Sequence, residues 1–132
     1  MAWPDAHKNF AYSTVATAPS PATTGTELVV ASGQGSLFPA VPFNATIWPT
    51  GAQPTSTTAE IVRVTAISTD TFTITRIQEG TSARTVVVGD QIAAAITAKT
   101  FTDVENSYCG SWTPFYLGSA MSGLQTLANS SG

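Results

Sequence analysis

TAEIVRVTAISTDTFTITRIQEG, residues 58–80, reads as two strands and the turn that joins them. In the first strand Glu60, Val62, Val64 and Ala66 lie on one face, and Ile61, Arg63, Thr65 and Ile67 on the other. The second sets Phe72, Ile74 and Arg76 against Thr71, Thr73 and Thr75. A period of two marks a half-buried strand. A two-residue loop at Thr69-Asp70 would place Arg63 opposite Arg76 and Val64 opposite Thr75. Like charges directly opposed are unfavourable, and mixing Val with Thr spoils the buried face. A three-residue loop, Ser68-Thr69-Asp70, puts Val64 opposite Ile74 and Ala66 opposite Phe72. That gives one apolar face and one Thr-rich face, with Asp70 tolerating the left-handed conformation such loops need. The three-residue loop is the predicted one.

Working outward, the chain punctuates itself. Tyr12 to Ala18 is a candidate strand, ended by Pro19-Ser20-Pro21 because proline donates no ladder hydrogen bond. Residues 26–31 form a short β run bounded by Gly25 and by Gly33-Gln34-Gly35, which reads as a turn. Phe43, Ala45 and Ile47 alternate with Asn44, Thr46 and Trp48, and residues 49–57 are loop-like in composition. After the hairpin come a turn around Gly80, a brief apolar run over 85–88, a turn at Gly89-Asp90 and a candidate strand over 91–97. Short strands at this spacing predict an all-β fold, a small antiparallel sandwich or barrel. Its expected core is Phe38, Phe43, Ile47, Val62, Val64, Phe72, Ile74, Val87 and Ile92. Three parts follow: an N-terminal arm (1–11), a β domain (12–98) and a C-terminal linker or oligomerisation segment (99–132), partly helical in pattern. Within the last part, Phe101 and Val104 are spaced as one helical face with Asp103 and Glu105 turned away.

The 132 residues are one domain by length. Charged residues make up 10%, against the usual ~25%. Thr and Ser supply about a quarter of the chain instead. A surface so poor in charge suits contacts with other chains better than free solution. The net charge of −3 and five scattered basic residues argue against nucleic-acid binding. No apolar run approaches the ~18 residues of a membrane helix. The N-terminus lacks the layout of a signal peptide, so manufacture and use without Sec export are expected. A single cysteine, Cys109, excludes an internal disulfide and leaves a buried thiol or an inter-chain contact.

Catalytic chemistry finds little to stand on. The sole histidine, His7, lies in the arm beside Asp5, and one His and one Cys far apart cannot make a zinc site. Glu60 and Glu79 lie at the open end of the hairpin, where they could approach each other as a glycosidase pair; solvated carboxylates paired with Arg76 or Arg84 are the plainer reading. Asn44-Ala45-Thr46 and Asn129-Ser130-Ser131 match the glycosylation pattern and, without a secretion signal, read as chance. No catalytic residue, cofactor or metal is therefore expected. What the chain offers is large apolar groups in loop-like surroundings: Trp3 and Phe10 in the arm, then Tyr108, Trp112, Phe115, Tyr116, Leu117, Met121, Leu124 and Leu127. In the arm they either fold back on their own domain or anchor it in a neighbour. Over 107–132 they are too many for an exposed tail. That segment is the expected contact between copies.

Several stretches together resemble a small β domain recurrent in tailed-bacteriophage virion proteins. They are Phe38-Pro39 with Pro42-Phe43, Glu60-Ile61-Val62, Thr71-Phe72-Thr73-Ile74-Thr75-Arg76, Glu79-Gly80-Thr81 and Gly89-Asp90, over about residues 9–105. Such domains are similar to the N-terminal attachment modules of tail fibres and other minor structural proteins. The resemblance implies a non-enzymatic module in the virion. It also implies self-association, as a homotrimer, and partners among tail, baseplate or major capsid proteins, with no nucleic acid and no membrane. Residues 113–132 are similar to linkers that lead into a fibre shaft, so the chain is either a small complete virion protein or the ordered part of a longer fibre. Two other readings remain open: a capsid decoration protein, and a carbohydrate-binding module using Trp48, Trp112 or Tyr116 as a sugar platform.

Overall fold

The hairpin of residues 58–80 forms, and its register reconciles the two loops weighed above. Strand β4 (Glu60–Ser68) and strand β5 (Thr71–Gln78) are joined by a two-residue loop, Thr69-Asp70, and not by three residues. Near the loop Ser68 pairs with Thr71, Ile67 with Phe72 and Ala66 with Thr73. One extra residue in β4, Thr65, then shifts the ladder so that Val64 meets Ile74 and Arg63 meets Thr75. A second irregularity, in β5 around Ile77, restores the offset and pairs Ile61 with Gln78. Bulges of this kind re-aim side chains. Here the first keeps Val64 on the apolar face and keeps Arg63 away from Arg76. It also carries Ala66 to the outside, against expectation, and leaves Ile67 packed on the core. The left-handed residue of the loop is Thr69 (φ 58°), not Asp70.

The computed structural model describes residues 4–109, and of Tyr108 and Cys109 the backbone alone. The hairpin is part of a closed antiparallel barrel. Its other strands are β1 (Tyr12–Thr17), β2 (Glu27–Val30), β3 (Phe43–Trp48) and β6 (Gln91–Ala93). Round the barrel the order is β1-β2-β5-β4-β3-β6, and β6 pairs back onto β1. Closure leaves no strand edge unpaired. The last strand ends at Ala93, short of the expected Thr97. The barrel belongs to a compact unit over Asp5–Thr97. A second unit holds helix α1 (Ala98–Val104), followed by a π-helical turn at Glu105–Cys109. Here Glu105 is exposed as expected, but Asp103 is buried and bonded to Lys99 one turn back, while Phe101 and Val104 are exposed.

Alternation fills the interior. Val15, Leu28, Val30, Phe43, Ala45, Ile47, Val62, Val64, Phe72, Ile74 and Ile92 all point inward, joined by Ala11, Phe38 and Val86. Eight of the nine expected core residues are among them. The exception is Val87, which is 49% exposed while its neighbour Val86 is fully buried. Val86 is drawn in by its amide, which donates to the Ala22 carbonyl at 3.2 Å.

Candidate functional site

The barrel has two ends, and the pairings assign residues to each. One end holds the start of β3, the β4–β5 loop and the end of β2. It is closed by Phe38, which follows a short 3-10 turn (Gly35–Leu37). The Phe38 ring lies edge-on to Phe72 at 4.8 Å between centroids and nearly parallel to Phe43 at 6.0 Å. The turn is fastened by Asp70, whose two carboxylate oxygens accept from the amides of Gly33 and Gly35, each at 2.9 Å. These two amides hold the Asp70 carboxyl below the usual range. Position 35 requires glycine, because a Cβ there would lie 1.8 Å from the Thr69 carbonyl oxygen. Ser13, fully buried, closes the same end with its hydroxyl 2.6 Å from Gln34 Oε1.

The other end is closed by charge. Glu60, the first residue of β4, has no exposed surface. Its Oε1 accepts from Arg76 Nε at 2.8 Å and from the Ile77 amide at 3.0 Å. Its Oε2 accepts from the second Arg76 nitrogen at 2.7 Å and from the Arg84 amide at 3.0 Å. Arg76 spends its remaining donors on the carbonyls of Ala22, Gly25 and Arg84. Arg84 in turn donates to buried Asp90 at 2.5 Å, and Asp90 also accepts from the Val87 amide. Burial pushes the Glu60 carboxyl up, but the Arg76 fork and the two amides outweigh it, and the group titrates below its ordinary range. Glu60 is thus not a solvated carboxylate, and Glu79 does not join it; Glu79 accepts from Asn44 Nδ2 at 2.7 Å. Each donor of Arg76 and each oxygen of Glu60 is matched. The cluster can pin the 18–26 and 79–90 connections to the barrel, and it presents no lone pair to a ligand. Among the described residues no three His, Cys, Asp or Glu side chains gather as a metal site would need.

This cluster was visible in the alternation, which puts Glu60 in line with Val62 and Val64, and Arg76 in line with Phe72 and Ile74. Opposite charges on two inward faces signal a buried pair.

The arm is partly tied down. Asp5 forms a two-pronged pair with Arg63 at 2.7 and 3.0 Å, and Arg63 also reaches Asn44. Lys8 Nζ donates to the Ser36 carbonyl at 2.6 Å. Ala11 enters the core. Phe10, between them, stands 91% exposed on left-handed backbone (φ 61°). Aromatic residues adopt that conformation rarely. Beside it a groove of about 590 Å³ runs between residues 7–9 and 94–96. Trp48 is half-buried on the outer face. Of the expected interface residues, Trp3, Trp112, Phe115, Tyr116, Leu117, Met121, Leu124, Leu127 and the side chain of Tyr108 lie outside the described residues. Compared with models of known protein families and with curated proteins, the chain finds no match.

Proposed function

We propose that the chain is a non-enzymatic structural module of a tailed-bacteriophage virion, the attachment end of a fibre, anchored in the particle through its arm and its outer surface. One observation carries this reading. All three arginines are consumed by carboxylates of their own chain, whereas Phe10 is left in the open. A barrel whose arginines are all paired keeps few free cations among its hydroxyl and apolar surface groups, which suits permanent contacts. Copies associate through residues 107–132, as a trimer in the fibre reading. The phage assignment itself rests on the resemblance over residues 9–105.

A photo-reactive residue placed at position 10 tests the reading in assembled particles. A cross-link formed inside the particle is expected, to a tail or baseplate protein or to a second copy of this chain. A cross-link to the major capsid protein would make the chain a decoration protein, and a chain that never enters particles would end the virion reading altogether.

A further inference from the structure

Glu27 and the arm stand apart from the rest of the barrel's charge. Asp5, Glu60 and Asp90 are neutralised by arginines, Asp70 by two amides, and Glu79 is bonded to Asn44. Glu27 is exposed and has no hydrogen-bond or ion-pair partner among the described residues. It lines a groove of about 390 Å³ on the outer face of β2, beside the partly buried Ala18 and Val29 and with Thr17, Thr26 and Thr71 around it. On the arm, His7 and Lys8 are exposed, and Lys8 meets only a carbonyl oxygen. Two residues further on is Phe10.

We propose that the Glu27 groove of one copy receives the Lys8–Phe10 stretch of a second copy of this chain. The groove offers apolar groups beside one uncompensated carboxylate. The arm offers an exposed aromatic ring beside an uncompensated ammonium, at nearly the same spacing along the chain. The threonines around it can satisfy the arm's backbone without adding charge. Knob and groove are different patches, so one such contact leaves a free knob and a free groove on which further copies can join. This inference does not depend on the virion reading, since it requires only that copies meet.

A charge swap in the full chain tests it, with oligomeric mass followed by light scattering across a dilution series. Glu27→Lys and Lys8→Glu should each weaken association roughly tenfold or more, because each brings like charges together. The double variant, Lys8→Glu with Glu27→Lys, should return to within about threefold of the parent. Circular dichroism and melting temperature, unchanged in all three, confirm that these exposed positions leave the fold intact. Zero-length carbodiimide coupling of mixed isotope-labelled and unlabelled copies should yield a Lys8–Glu27 link between copies. A parent that stays monomeric would overturn the proposal. So would single variants that associate like the parent, or a double variant no better than the singles.

Discussion

The two ends of the barrel solve one problem with opposite chemistry. At one end aromatic rings close the core, with Phe38 against Phe43 and Phe72. At the other an ion pair does so, with Glu60 and Arg76 buried among backbone donors and acceptors. The difference follows from what each end must cover. The Phe38 end meets one short turn that a single carboxylate, Asp70, can fasten. The Glu60 end meets two long connections, 18–26 and 79–90, whose carbonyls and amides need partners once water is excluded. A guanidinium with five donors in a fixed fork reaches three carbonyls and a carboxylate together, which no apolar side chain could do.

The largest effect should come from cutting the charged end. Arg76→Ala leaves Glu60 buried without its counter-ion and should cost about 3–5 kcal/mol in urea melts. Pairing it with Glu60→Leu removes the orphaned charge and should recover part of that loss; a double variant no more stable than Arg76→Ala would show that loop anchoring, not the charge, dominates. Phe38→Ala, at the aromatic end, should cost about 3 kcal/mol, near the low edge for a buried ring because Phe38 sits at the rim. A loss under about 1 kcal/mol would mean the Phe43 and Phe72 rings close that end without it.

Acid acts at both ends, because the Asp70 carboxyl that fastens the Phe38 turn and the Glu60 carboxyl are both held below their ordinary range. A carboxylate whose folded pKa is depressed stabilises above its unfolded value, about 4.3 for Glu, and loses that contribution as pH falls through the folded value. Glu60 behaves so. Glu60→Gln should therefore be less stable than the parent at neutral pH and should close the gap as pH drops below 4. A constant gap across that range would show that Glu60 does not titrate with folding. The smallest effect is expected in the arm. Arg63→Ala breaks a partly exposed pair with Asp5 and should cost about 1 kcal/mol or less.

Much of this barrel could be read from alternation alone, because a period of two is a local property. The inward set from Phe43 to Ile74, the extent of β3 and the pairing of Val64 with Ile74 were all visible there. Bulges were not, since an extra residue such as Thr65 is chosen by the need to satisfy both the tight loop and the buried face. Val86 and Val87 could not be told apart in a run of three valines; a hydrogen bond to Ala22, distant in sequence, decides between them. Alternation puts Glu60 and Arg76 on the right faces but not out of solvent, because a carboxylate in a strand is usually exposed and the carbonyls that bury Arg76 come from two loops remote in sequence. Size marks Phe10 in the sequence but cannot say whether it folds back; the structure leaves its ring off its own domain, while the apolar groups of the C-terminal segment lie outside the described residues.

The central claim is that this barrel is a part of a virion, held by its neighbours. Quantitative mass spectrometry of gradient-purified particles tests it most directly. The account predicts the chain in every particle fraction, at a fixed ratio to the major capsid protein that corresponds to a multiple of three copies per particle. A chain found only in the soluble fraction, or at a ratio that varies from one preparation to the next, would contradict it.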